Sequence, residues 1–395
     1  MGKVFLILAA WNAALWLVLG VLFAPVLPGE WWTIAALWAI SLSPVLELVR
    51  GFSGNAYPSA LTRVWVLRPF WYVQVSLPFL AAAGLLGLLV GIPFGAPLEA
   101  GRWAVAAVGI VFAAAATWGY VGTRRLVVRP LGIDFDDLPK GLDGLRIAQL
   151  SDLHVGPHTS HRHLAQIGEA IRGAQPDVIV LTGDQVDDFA RDVEPLGRAF
   201  GALTAPLGVI AVAGNHDVYA GWPAVRRGME GLGWRVLVNE AVALEWNGAR
   251  FWVAGTGDPA GRGGPTGRED GVIPDIAQTL ASVPRGDFTL ALAHNPALWP
   301  ELTARGVDLT LSGHTHYGQL AIPQLGWSVA SVFLDYAMGT HRRGSSVLYI
   351  NPGTNFWGIP FRIGAPPEVT VVTLRGSRPD SPPDYDEGAH TGAAD

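Results

Sequence analysis

Apolar and polar positions follow two regimes along the chain. Up to about residue 130, polar positions nearly vanish inside four long runs: Val4–Phe23, Trp31–Val49, Phe70–Val90 and Trp103–Val121. Each is close to the roughly 20 residues that cross a hydrocarbon core at 1.5 Å rise per residue. None keeps the polar face that a helix on the surface of a soluble bundle needs. The interruptions are Asn12, Glu47, Gln74, Pro44 and Pro78. Proline is tolerated in spanning helices where neighbours re-satisfy the freed backbone groups. Trp31, Trp32, Trp71, Trp103 and Trp118 stand near run ends, where interfacial aromatic belts lie. The pattern predicts four transmembrane helices, about 4–23, 31–49, 70–90 and 103–121. A cleaved signal peptide is the competing reading of the first run. Ala24-Pro25-Val26-Leu27 is a poor cleavage site, however, and three more runs follow.

Beyond residue 130 the apolar runs shorten to strand length and end in polar clusters. Arg146–Ser151 leads into Asp152-Leu153-His154, and Asp177–Thr182 into Gly183-Asp184. Val209–Ala213 leads into Gly214-Asn215-His216-Asp217, Phe288–Ala293 into His294-Asn295, and Val307–Ser312 into Gly313-His314-Thr315-His316. Continuous apolar character predicts strands buried on both faces. Helical periodicity over 159–175, between the first two, gives the alternation of an α/β fold. In such folds sites form at the carboxyl ends of strands. One such ending is an ordinary turn; five in succession make a candidate site. Residues 376–395 are rich in Pro and Asp and predict a disordered tail. The expected organisation is a membrane region over 1–130, an α/β domain over 131–375, and the tail.

Composition supports this division. Half of the 395 residues are hydrophobic and 15% are charged, which excludes a disordered protein and disfavours a wholly soluble one. Residues 1–130 carry eight basic and three acidic side chains, the remainder 19 and 30. The acidic second part is a poor nucleic-acid partner. Basic residues concentrate at Lys3, at Arg50, Arg63 and Arg68, and at Arg124, Arg125 and Arg129. The intervening loops hold none (24–30) or only Arg102 (91–102). The positive-inside rule then puts both termini, and the α/β domain, in the cytoplasm. Cysteine is absent, so a metal would have to sit on nitrogen and oxygen ligands.

Taken together, Asp152-x-His154, Gly183-Asp184-x-x-Asp187, Gly214-Asn215-His216-Asp217, His294 and Gly313-His314-Thr315-His316 resemble the motifs of the calcineurin-like metallophosphoesterase superfamily. The resemblance covers about residues 144–374. Ser151–His154, His294-Asn295-Pro296 and Gly364–Glu368 are similar to its bacterial, membrane-associated branch. It implies a two-sheet sandwich flanked by helices, where composition alone gives only α/β. It implies two divalent ions: one on Asp152, His154 and His316, the other on Asn215, His294 and His314, with Asp184 shared. Mn²⁺ is the first expectation, and Fe, Zn or Co suit the same donors. A bridging hydroxide would attack phosphorus in line.

His216 would stabilise the transition state and protonate the leaving oxygen. Asp217 would orient it, or cap a helix. Asp187 reads as a supporting residue. Tyr317 stands where many relatives carry glycine; it would narrow the cleft or stack on substrate, or is merely tolerated. Arg342 and Arg343 would grip a phosphate or form a solvated turn, and Arg362 is a similar case. His158, His161 and His163 read as a solvated loop and helix start.

The function implied is hydrolysis of a phosphodiester or pyrophosphate, on a lipid-linked or nucleotide-linked substrate. Hydrolases of UDP-2,3-diacylglucosamine are an analogue within the superfamily. The competing reading is a transporter or sensor whose second domain is regulatory. No charge stands clearly at mid-membrane, which argues against an ion pathway.

Overall fold

A computed structural model describes residues 2–54, 56–262 and 272–377. The chain divides into two compact units, Met1–Trp118 and Gly119–Asp395.

The first unit is helical. Among the described residues, four stretches are long and apolar enough to cross a membrane: Ala9–Val26, Trp31–Gly51, Ala60–Phe94 and Pro97–Gly122. The second is two helices, Trp31–Leu42 and Pro44–Ser53. Proline lacks the N–H that would continue the ladder, so Pro44 opens a new helix. The third is longer than the sequence pattern predicts, because a π-turn over Arg63–Leu67 runs directly into Arg68–Gly91. Two polar interruptions are hydrogen-bonded: the Asn12 amide donates to Gln74 Oε1 at 2.5 Å, and the Gln74 amide donates to the Ser41 carbonyl at 3.3 Å.

The second unit is built on two six-stranded sheets. The first contains β1 (Val127–Phe135), β2 (Arg146–Leu150), β3 (Val178–Leu181), β4 (Val209–Ala211) and β5 (Arg235–Val236). The second contains β6 (Glu240–Trp246), β7 (Ala249–Gly255), β8 (Thr289–Leu292) and β9 (Leu309–Ser312). A short ribbon follows, β10 (Ala321–Ile322) with β11 (Trp327–Ser328). Then β12 (Gly339–Arg343) and β13 (Ser346–Ile350) join the second sheet, and β14 (Glu368–Gly376) joins the first. The orders are β1-β14-β2-β3-β4-β5 and β12-β13-β9-β8-β7-β6. Strands β2 to β5 run parallel, as do β13, β9, β8 and β7. Beyond Ser377, the tail expected over 376–395 lies outside the described residues.

Alternation along the strands sorts side chains into layers. Ile147, Val178, Val180 and Ile210 of the first sheet meet Val253, Leu290, Leu292, Leu309 and Leu311 of the second in one buried core. The other face of the first sheet (Ala148, Leu150, Ile179, Leu181) packs on helices His161–Ala174, Val193–Phe200 and Trp222–Gly231. Strands so covered are apolar on both sides. Their only polar outlet is their ends, where the candidate residues stand.

Candidate metal centre

Parallel pairing brings the strand ends side by side. Asp152 and His154 follow β2, Asp184 follows β3, and Asn215 and His216 follow β4. His294 follows β8, and His314 and His316 follow β9. The backbone there is strained. Asp152, His154, Asp184, His314 and His316 have φ between 41° and 71°, a region that costs non-glycine residues free energy and persists only where surroundings enforce it. Backbone bonds do so: the Asp152 N–H donates to the Gly183 carbonyl and the His154 N–H to the Asp184 carbonyl, both at 3.0 Å. At Gly183 (φ 98°) a Cβ would enter the His294 ring, so only glycine fits.

The side chains form two adjoining groups. In the first, His316 Nε2 is 3.2 Å from Asp152 Oδ1 and 3.1 Å from His154 Nε2. In the second, Asn215 Oδ1 is 2.8 Å from His314 Nδ1 and 3.2 Å from His294 Nε2. Asp184 Oδ2 touches both, at 3.7 Å from His154 Nε2 and 3.2 Å from His294 Nε2. Asp152, His154, Asp184 and His294 are almost fully buried.

Burial works to raise the Asp184 carboxyl, but the His294, His216 and His154 imidazoles outweigh it and hold it well below the usual range. Burial likewise works to lower His294, and the Asp184 charge overrides it. His314 and His316 are pushed down to about 4 by burial, which leaves them neutral. With their imidazoles neutral, these carboxylates, amide oxygen and imidazole nitrogens would offer a cation a convergent set of lone pairs, and the donor set suits Mn, Fe, Zn or Co.

His216 lies beside the first group, its ring 4.7 Å from that of His154. Its Nδ1 is 2.9 Å from the Asp187 carbonyl oxygen and donates there. Asp217 therefore does not orient His216. Its buried carboxylate accepts four backbone N–H groups instead, from Gly214, Asp184, Gln185 and Val186, at 2.9–3.1 Å. Asp217 thus ties the β3 and β4 tips together.

The residues read as substrate contacts lie elsewhere. Tyr317 is buried among Trp299, Met338 and Ile350. Its hydroxyl donates to the Ile350 carbonyl at 2.7 Å and accepts the Gly339 N–H at 2.9 Å. It neither narrows the cleft nor stacks there. Arg342 and Arg343 pair with Val347 and Ser346 at the start of β13, whereas Ile350 at its other end pairs with Ser312, next to the site. Three residues (from Val347) and four (from Ser346), at about 3.3 Å rise each, separate the arginines' partners from the site end. Arg342 donates to the Asp134 carbonyl and Arg343 to the Tyr336 hydroxyl.

Arg362 is no solvated side chain. It is 2% exposed and donates to the His316 and Pro352 carbonyls at 3.1 and 2.6 Å and to His316 Nδ1 at 2.9 Å. His163, expected to be solvated, is buried with Nε2 at 2.9 Å from the Thr354 carbonyl.

Sequence reasoning also missed a sixth strand end. After β13, the segment 351–355 holds the site from below: the Thr354 N–H donates to the Ser151 carbonyl at 2.7 Å, and the Asn355 amide donates to the Leu153 carbonyl at 2.8 Å. The signal was there, since Ser346–Ile350 also ends in a polar turn, Asn351-Pro352-Gly353. Tyr219 and Trp357, rings 5.7 and 5.6 Å from His216, were missed as well.

The profile of the calcineurin-like phosphoesterase family matches residues 145–318. An uncharacterised metallophosphoesterase of Aquifex aeolicus (strain VF5) is 30% identical over 261 residues, 66% of this chain and 95% of the relative. The chain belongs to the calcineurin-like metallophosphoesterase family. The uncharacterised metallophosphoesterase YkuE of Bacillus subtilis (strain 168) is 32% identical over 61% of this chain and 82% of its own. A Danio rerio "transmembrane protein with metallophosphoesterase domain" is 30% identical over 67% of this chain, which spans 61% of that relative. Among solved structures, the calcineurin-like phosphoesterase YfkN of Bacillus subtilis superimposes with a TM-score of 0.34 at 18% identity, over 44% of this chain and 72% of that one. The motif segments named from the sequence at Asp152, Asp184, Asn215, His294, His314 and His316 all fall inside the family match.

Proposed function

We propose that this metallophosphoesterase hydrolyses a phosphodiester or pyrophosphate at a pair of divalent metal ions and is anchored in a membrane by its four apolar helices. One observation carries the reading: Asp184 lies within 3.7 Å of His154 and 3.2 Å of His294, so a single carboxylate serves both groups of donors. Asp152, His154 and His316 would hold one ion, Asn215, His294 and His314 the other, and Asp184 both. Such a pair supplies Lewis-acid stabilisation of phosphoryl oxygens and a water-derived nucleophile near neutral pH.

The chain's own residues do the rest. His216 is fixed twice, by its backbone N–H on Asp184 Oδ1 at 2.7 Å and by Nδ1 on the Asp187 carbonyl. Burial lowers His216 below its ordinary pKa; with Nδ1–H spent on Asp187, Nε2 would take up a second proton beside an anionic phosphate, hold it toward the phosphoryl oxygens and deliver it to the leaving group. Tyr219 and Trp357, both partly exposed beside His216, take the aromatic role first expected of Tyr317. Arg362 fixes His316 from behind. The substrate is lipid-linked or nucleotide-linked, and the arginine distribution supports a cytoplasmic second unit.

The test is hydrolysis of bis-p-nitrophenyl phosphate with added Mn²⁺ by the wild type, Asp184→Ala and His216→Ala. Turnover by the wild type alone supports the proposal. Equal, negligible rates in all three favour a transporter or sensor with a regulatory second unit.

A further inference from the structure

The second unit exposes apolar side chains in one uncharged segment. From Leu320 to Leu334 the sequence holds no charged residue. It is nevertheless a surface segment: Leu325 is 70%, Val332 62% and Phe333 80% exposed, and Ile322, Trp327 and Leu334 are exposed too. Its shape is set. β10 and β11 pair Ile322 with Trp327 across the ribbon, so these two side chains share a face. Leu325 stands at the tip, and a following turn over Ala330–Val332 carries Val332 and Phe333. Burying such a patch is favourable and leaving it in water is not.

Position says what covers it. Within this unit, the Ala321 N–H donates to the Ile363 carbonyl at 2.9 Å. One residue earlier, the Arg362 N–H donates to the Gly119 carbonyl at 2.9 Å. Gly119 belongs to the last turns of Pro97–Gly122, the final helix long enough to cross a membrane. The base of the ribbon is therefore joined by two consecutive residues to the helix end that would leave the bilayer. Arg124 and Arg125 follow that end directly, as basic residues do at anionic headgroups. Aromatic and aliphatic residues without charge suit the interfacial zone.

We propose that the 320–334 segment is a second membrane contact: it dips into the bilayer surface and holds the metal centre, whose expected ligand His316 stands four residues before it, at the headgroup level. The occupant is lipid, not protein. The proposal stands whatever bond the centre cleaves.

The natural absence of cysteine makes the test clean. Leu325→Cys, Phe333→Cys and, as a reference on an outer helix, Arg227→Cys would each carry a nitroxide in the full chain reconstituted in phosphatidylcholine–phosphatidylglycerol vesicles. Accessibility to oxygen and to a water-soluble nickel chelate gives depth. The labels at 325 and 333 should read about 5–10 Å below the headgroups, and the label at 227 should read as aqueous. Nickel access at 325 and 333 equal to that at 227 overturns the proposal. Shielding from both reagents also overturns it, since a protein would then be the cover. Neither readout depends on hydrolysis.

Discussion

Replacing Asp217 by asparagine separates a residue that builds the site from one that works in it. The wild-type carboxylate accepts four buried N–H groups, two on each oxygen. Asparagine keeps one oxygen and turns an N–H₂ group toward the other two donors. Two buried N–H groups left unsatisfied at about 1–3 kcal/mol each give a loss of about 2–6 kcal/mol. At about 2–4 °C per kcal/mol for a unit of this size, the midpoint should fall by about 4–24 °C. Because the Asp184 and Gly214 N–H groups are among the four, metal retention should fall with it. Thermal unfolding of the full chain in mild detergent, followed by intrinsic fluorescence and by proteolysis of the second unit, reads the stability. His216→Ala is the control: it loses one side-chain hydrogen bond, so its midpoint should fall by only about 2–4 °C while turnover is lost. An Asp217→Asn protein that melts like the wild type but matches His216→Ala in lost activity would refute the reasoning and restore Asp217 as the partner of His216.

Other outcomes follow from the same geometry. Tyr317→Phe removes two hydrogen bonds at about 1 kcal/mol each, so its midpoint should fall while KM for bis-p-nitrophenyl phosphate stays put; a raised KM would return Tyr317 to the cleft. Arg342→Ala and Arg343→Ala should turn over like the wild type, and a selective rise in KM would place a phosphate grip there. Arg362→Met leaves His316 free to turn and strands the carbonyls it serves; weaker Mn²⁺ retention is expected, and unchanged retention would show that His316 needs no such support. Reporter fusions after residue 130 should fluoresce in the cytoplasm, and alkaline phosphatase activity there would reverse the orientation.

Much of the centre was legible because its logic is linear. A strand covered on both faces is apolar throughout, so the first polar residues after it mark its end, and five such ends named Asp152 through His316. The four apolar runs were legible for the same reason, since bilayer thickness sets a length a sequence can display. What stayed hidden depends on register and packing. Nothing in Arg342-Arg343 says that they pair with the far end of β13. A buried arginine such as Arg362 reads like a solvated one until its carbonyl partners are seen. Tyr317 and Asp217 stand next to site residues in sequence, but the backbone turns at 315–318 and 214–217 aim them into the protein.

Metal analysis of the purified full chain, loaded with Mn²⁺ and freed of excess, tests the central claim most directly. The account predicts about two ions per wild-type chain and a sharp loss from Asp184→Ala, whose carboxylate both groups share. A wild type that holds no metal, or an Asp184→Ala protein that retains as much as the wild type, would contradict it.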